Sequence, residues 1–84
     1  MEDRDTKIRR LYMRSIRRGI KEMDLILGKF GKDILPTLSD TDLEVYDEML
    51  SVNDHDLYAW VTGNVAADPE YKDMIDRVTA HYSE

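Results

Sequence analysis

Residues 38–43 read Leu-Ser-Asp-Thr-Asp-Leu, and fourteen positions later residues 52–57 read Val-Asn-Asp-His-Asp-Leu. In each copy Ser39 or Asn53 can accept a hydrogen bond from a free backbone N–H of a first helical turn. The acids that follow favour the positive end of the helix dipole, and the flanking apolar residues are spaced as a hydrophobic staple. The two stretches therefore predict two consecutive helix starts, and this interpretation leaves no reason to assign their acids to a metal site.

Apolar residues recur at helical spacing on both sides of these starts. Asp68 followed by Pro69 is typical of a further helix start, because proline loses no hydrogen bond at the first helical position. Breaks in the pattern fall at Gly19, near Pro36, at residues 51–54 and at residues 63–69. The sequence thus predicts an all-α, compact single domain over residues 1–84, a bundle of five short helices at approximately 5–18, 20–35, 40–51, 54–62 and 69–82.

Two glycines, Gly28 and Gly31, lie inside the second predicted helix. Each costs up to about 1 kcal/mol relative to alanine in a helix interior. Close packing of another helix against this one, or a bend in it, would account for both glycines.

The chain of 84 residues contains no cysteine, and 36% of it is charged. It therefore has no disulfide, no thiolate metal site and no cysteine nucleophile. No apolar run approaches the roughly 20 residues that span a bilayer, and the early acids are unlike a secretory signal or an organellar presequence. We expect a soluble cytoplasmic chain without membrane insertion, or a mitochondrial matrix protein if the sequence is a processed eukaryotic form.

The net charge of −6 is unevenly distributed, because residues 1–18 carry a net charge of +4 and the remainder −10. A basic first helix suits nucleic acid, an anionic lipid surface or an acidic protein, and pairing of these charges within the fold is an equal alternative. The arginines are spread around the helix, and its apolar face is needed by the core. We therefore expect neither nucleic acid nor a membrane as the partner.

Patterns for catalysis are weak throughout the sequence. His55 lies between Asp54 and Asp56, but adjacent helical residues point in different directions and cannot jointly chelate a metal. No glycine-rich phosphate loop is present, and the serines lack a base and an orienting acid. We expect no enzymatic activity, no metal and no cofactor bound tightly by this chain.

Residues 17–24, Arg-Arg-Gly-Ile-Lys-Glu-Met-Asp, are the strongest candidate for a binding surface. The pattern alone favours a structural interpretation in which the arginines complement the end of the first helix, Gly19 terminates it, and the acids favour the start of the second. Glycine also lets another backbone approach closely. A cationic arm, this glycine and a carboxylate one turn later would present both signs of charge, which provides partner specificity.

Residues 18–22 match the Arg-Gly-x-x-Glu motif of the succinate dehydrogenase flavinylation factors, a family of five-helix proteins. The flanking residues 23–25, the third helix start at residues 38–40 and the Asp-x-Asp-Leu-aromatic-x-Trp segment at residues 54–60 match it in the same order and spacing. Over roughly residues 5–80 the chain resembles this family, and least so after Gly63.

The resemblance implies an assembly factor that binds the flavoprotein subunit of succinate dehydrogenase and, in bacteria, that of fumarate reductase. It would promote attachment of FAD to a histidine of this client by selecting a client conformation, with the FAD belonging to the client. An acidic helical adaptor with a different client is the alternative. Tyr58 lies off the face that is predicted to bury Trp60, and it joins the residues that the resemblance assigns to partner binding, which are Arg17, Arg18, Gly19, Glu22 and Asp24.

Overall fold

Five α-helices joined by short connections form the structure, a computed structural model of the chain that describes residues 2–83. The helices are α1 (Arg4–Ser15), α2 (Lys21–Ile34), α3 (Asp40–Met49), α4 (Asp54–Val61) and α5 (Lys72–Tyr82), with a 3-10 turn at Leu35–Thr37. Residues 2–83 contain no strand. The prediction of an all-α bundle of five short helices is confirmed. Met1 and Glu84, the ends of the predicted domain, lie outside the described residues.

One cluster of buried apolar side chains includes residues from all five helices. Each helix places at least one nearly inaccessible side chain in this cluster. The following are at most 1% exposed: Leu11, Phe30, Tyr46, Leu57 and Val78. The Cα radius of gyration, 11.8 Å, is that of one compact domain of this length, about 12 Å. The helices therefore share a single core.

The two helix starts predicted from the repeated sequence have the expected caps. The Ser39 hydroxyl accepts the N–H three residues later at 3.1 Å, and the Asn53 side chain accepts the N–H two residues later at 2.8 Å. A third cap, which the sequence analysis did not identify, is Asp3. Its carboxylate accepts the Thr6 N–H at 2.8 Å and starts α1 one residue before the predicted position.

Helix α1 ends at Ser15, so the prediction that it continues to Arg18 and is terminated by Gly19 is wrong. Continuation of the helix would require the next N–H groups to bond to carbonyls one turn earlier. Instead, the Arg18 N–H donates to the Asp24 carboxylate and the Gly19 N–H donates to the Asp54 carboxylate, each at 2.5 Å. Two tertiary acceptors thus end the helix early.

Helix α5 begins at Lys72, and the prediction that Pro69 occupies its first position is wrong. The Tyr71 N–H bonds to the Asp68 carbonyl at 2.9 Å, which closes a four-residue turn with Pro69 at its second position. Proline is favoured at that position of a turn for the same fixed φ that suits a helix start. The remaining helix bounds lie within two residues of the predicted ones, and those at residues 40, 54 and 82 agree.

The two glycines of α2 lie where α1 packs against it. A Cβ on Gly28 would be 3.0 Å from the Ile16 Cγ2, and a Cβ on Gly31 would be 3.2 Å from the Tyr12 Cδ1. Both distances are shorter than ordinary side-chain contacts. Of the two alternatives left by the sequence, close packing of a neighbouring helix is therefore the one that accounts for both glycines.

A buried hydrogen-bond chain joins α1 to α3. The Ser15 hydroxyl donates to the Leu11 carbonyl at 2.8 Å and lies 2.6 Å from the Tyr46 hydroxyl, and both side chains are completely buried. Because the serine proton is directed to the carbonyl, the Tyr46 hydroxyl is the donor of the second bond. Burial raises the pKa of Tyr46 to about 12.

We expect Ser15→Ala to destabilise the fold more than Tyr46→Phe does. The alanine variant leaves the buried Tyr46 hydroxyl without its acceptor, at a cost of about 2 kcal/mol, whereas the phenylalanine variant leaves Ser15 bonded to Leu11 and costs about 1 kcal/mol. The free energy of unfolding in urea measures both. The opposite order would contradict the assigned direction of the bond.

The fold is also expected to lose stability between pH 10 and pH 12. The unfolded chain ionises its tyrosines near pH 10, while folded Tyr46 holds its proton until its raised pKa of about 12. The contribution of this side chain is therefore complete below pH 10 and is lost as the pH rises, by roughly 3 kcal/mol. Tyr46→Phe should flatten the pH dependence of urea unfolding, and Tyr82→Phe, at a side chain 54% exposed, should not.

Candidate functional site

The connection between α1 and α2, residues 16–20, is fixed to the first turn of α4 by one carboxylate. Asp54 accepts the Arg18 Nε–H through Oδ1 at 2.7 Å and the Gly19 N–H through Oδ2 at 2.5 Å. Both oxygens of this side chain are thus used by neighbouring residues of the connection. We call this connection together with the first turn of α2, residues 16–24, the corner.

The Arg18 side chain also closes the connection between α3 and α4. Its Nη1 donates to the Leu50 carbonyl at 2.8 Å, and its Nη2 donates to the Val52 carbonyl at 3.2 Å. Only 10% of the Arg18 side chain and 15% of the Asp54 side chain is exposed. This buried guanidinium therefore joins the corner to two backbone carbonyls that no helix satisfies.

The same contacts occur fourteen residues earlier, around Arg4. This side chain donates to Asp40 at 2.9 Å, to the Leu38 carbonyl at 2.5 Å and to the Pro36 carbonyl at 3.2 Å. Here 41% of the Arg4 side chain and 89% of the Asp40 side chain is exposed. The repeated helix start in the sequence is therefore matched by a repeated arginine, and only the second copy is buried.

Two further arginines of α1 share Asp47 of α3. Arg14 lies 2.5 Å and Arg10 3.1 Å from its carboxylate, and Arg10 also binds Glu2 at 2.8 Å. The hydrogen bond from Arg10 holds the pKa of Asp47 below its usual value. The arginines of α1 thus form four ion pairs with acidic side chains. This is the internal charge pairing that was the alternative to a basic binding helix.

The structure separates the predicted site residues of the corner into two groups. Arg17 and Glu22 are exposed, and their side chains form no hydrogen bond or ion pair with any other residue of 2–83. Gly19 is exposed between them in sequence. Arg18 and Asp24, in contrast, bond within the chain, since Asp24 accepts the Arg18 N–H. Of the predicted site residues of the corner, Arg17, Gly19 and Glu22 are therefore the ones left open to a partner.

Tyr58 lies one turn after Asp54 on α4, and residues four apart share a helix face. Its side chain is half-buried against the core. Trp60 is 9% exposed and belongs to the core, as its spacing predicted. The placement of Tyr58 on the Asp54 side of α4 is compatible with a binding surface that includes it, and its role stays a prediction.

Two residues of this region were not selected as site residues from the sequence. Asp54 was interpreted as an acid of a helix start and as part of the family-like segment at residues 54–60, with no binding role. Its separation from Arg18 equals that of Asp40 from Arg4 and could have indicated the pairing. Leu25, one turn after Glu22, is 67% exposed, more than any other large apolar side chain of the described residues.

Other kinds of site find no support within residues 2–83. No group of three histidine, aspartate or glutamate side chains there is arranged to hold a metal ion. None of the helices has both the length and the apolar character that crossing a bilayer requires.

The sequence profile of the family described as the flavinator of succinate dehydrogenase matches residues 9–82. The chain belongs to this family. The corner, with its Arg-Gly-x-x-Glu motif, lies within the matched region, so the resemblance seen in the sequence is confirmed.

Individual members of the flavinator family are similar over most of this chain. Succinate dehydrogenase assembly factor 2 of Meyerozyma guilliermondii, a mitochondrial protein, is 46% identical over 68 residues, which cover 81% of this chain and 50% of that protein. Its counterpart in Komagataella phaffii is 44% identical over 68 residues, with 81% and 36% covered. The FAD assembly factor SdhE of Pseudomonas putida is 38% identical over 71 residues, with 83% of each chain covered. The chain thus spans half or less of these two mitochondrial relatives.

Removal of the two equivalent arginines should have unequal effects on stability. Arg18→Ala leaves a largely buried carboxylate without its cation and two carbonyls without a donor, at a cost of about 3 kcal/mol. Arg4→Ala removes the exposed copy of the same contacts and should cost less than about 1 kcal/mol. Urea unfolding of the two variants at pH 7 measures the difference. Equal losses would show that burial does not distinguish the two copies.

Proposed function

We propose that this chain binds the flavoprotein subunit of succinate dehydrogenase and promotes covalent attachment of FAD to it. The observation that carries the proposal is the corner itself. An exposed guanidinium at Arg17 and an exposed carboxylate at Glu22 flank an exposed glycine in the sequence, within the matched family region. The names of the relatives, an assembly factor for succinate dehydrogenase and an FAD assembly factor, support the choice of client.

The physical basis is a small, rigid surface that favours one client conformation. Gly19 has no side chain, so a client backbone can approach it closely. The charges of Arg17 and Glu22 then select a client surface that carries a negative and a positive group in matching positions. A client bound in the wrong orientation would bring like charges together, which is unfavourable. Binding energy that is available only to the flavinylation-competent client shifts the client population toward that state. The client histidine and flavin are thereby aligned for bond formation.

In this proposal the chain has no catalytic group of its own, and the FAD belongs to the client. Its contribution is the binding free energy that distinguishes two client states. The exposed charged groups of the corner support this division, because a guanidinium that stays protonated is suited to binding and not to proton transfer. The site of action is the compartment that holds the client before membrane assembly, which is the bacterial cytoplasm or the mitochondrial matrix.

Gly19→Arg and Glu22→Ala test this function. Each should reduce covalent flavin on the client to the level seen without the chain, because the first fills the gap at the corner and the second removes its carboxylate. The assay is co-expression with the client in cells that lack their own factor, followed by flavin fluorescence of the denatured client in a gel. Circular dichroism should show that both variants keep their helices.

Ala66→Arg and Glu44→Ala are the controls at exposed positions outside the corner, because the first also introduces an arginine and the second repeats the glutamate-to-alanine change. Normal flavinylation with the corner variants would overturn the site assignment. Failure of the unaltered chain to raise covalent flavin, together with co-purification of another protein, would favour the adaptor alternative. The same assay with the fumarate reductase flavoprotein tests the wider client range that the resemblance implies.

A further inference from the structure

We infer that Asp54 is a positioning residue for partner binding, which acts by holding the Arg18–Gly19 backbone in the geometry that a flavoprotein client recognises. This inference rests on the proposed function and adds to it a residue on a different helix. It also gives Arg18 a role that needs no direct contact with the client.

The first step of the argument is the use of both Asp54 oxygens. One accepts the Arg18 Nε–H and the other accepts the Gly19 N–H. A carboxylate can accept both bonds at once, whereas an amide has a single acceptor oxygen. The side chain at position 54 therefore determines whether the guanidinium and the glycine N–H are satisfied together.

The second step is the position of Gly19 between two constraints. Its N–H is held by Asp54, and a Cβ at this residue would lie 3.3 Å from the same carboxylate oxygen. The Arg18 N–H immediately before it is held by Asp24 of α2. Rotation of this peptide segment would break at least one of these bonds, so the open groups Arg17 and Glu22 keep a fixed relation.

The third step is the comparison with Asp40, the equivalent acid of the first copy. It binds Arg4 at 2.9 Å but accepts no backbone N–H from the corner, and its side chain is 89% exposed. The two acids occupy the same place in the repeated sequence. Only Asp54 connects the arginine contact to the glycine, so only this copy can influence the binding surface.

Asp54→Asn is the direct test. The amide oxygen of asparagine can accept a hydrogen bond from one of the two N–H donors. Its NH2 group then faces the other donor, which loses its acceptor. We expect the concentration of the chain that gives half-maximal client flavinylation to rise at least tenfold, with the maximal yield at saturation unchanged. Hydrogen exchange of the Gly19 amide, measured by NMR, should accelerate relative to amides elsewhere in the chain. All measurements are made where circular dichroism shows the variant to be folded.

Asp40→Asn and Asp47→Asn are the controls. The first makes the same substitution in the equivalent copy, and the second weakens a partly buried pair between α1 and α3. Neither should change the half-maximal concentration, although Asp47→Asn should lower the urea midpoint. If Asp54→Asn is unfolded at every usable temperature, Arg18→Lys replaces it, because a lysine cannot donate to the carboxylate and both carbonyls in the same fork geometry.

An unchanged half-maximal concentration for the folded Asp54 variant would overturn the inference, as would an equal rise for the two controls. The proposed function is tested separately in the same experiment. One outcome is that the unaltered chain and the Asp54 variant raise covalent flavin equally, while Glu22→Ala does not raise it. In that case only the positioning role fails. If the unaltered chain has no effect, the proposed function itself fails.

Discussion

The guanidinium of Arg18 is the constraint on which the arrangement of this small protein depends. Removal of a charge from water is costly unless every donor finds a partner. Here the Nε and both terminal nitrogens donate to a carboxylate and two carbonyls, and the side chain is only 10% exposed. The carbonyls belong to the connection between α3 and α4, where no helix satisfies them. One side chain thus joins the connection between α1 and α2 to the connection between α3 and α4.

The uneven charge of the chain is explained by the same kind of contact. Helix α1 and the connection that follows it are basic because they face acids at the starts of α3 and α4 and along α3, through Arg4, Arg14 and Arg18. These charges are largely neutralised within the fold. Among the predicted site residues of the corner, Arg17 and Glu22 have no partner among residues 2–83. Pairing within the fold thus accounts for much of the basic charge, and the predicted site residues that stay open carry both signs of charge.

Local patterns in the sequence were sufficient for the starts of α3 and α4 and for the shared core, while at Gly28 and Gly31 they left close packing and a bend as alternatives. They were insufficient where a tertiary acceptor competes with the helix. The end of α1 depends on carboxylates six and thirty-five residues away from the N–H groups they bind. The family resemblance supplied the client, but the separation of Arg18 from the exposed groups required the structure.

The equal spacing of the two arginines and the two acids constrains how the length of this chain can change during evolution. Arg4 and Arg18 are each followed by their acid after 36 residues. An inserted or deleted residue between the two arginines, or between Asp40 and Asp54, would leave at most one pair in register. Within α1 it would also turn the following residues by about 100° around the helix axis. Insertions and deletions in related chains should therefore be concentrated in residues 62–71, where the connection between α4 and α5 carries no such pairing.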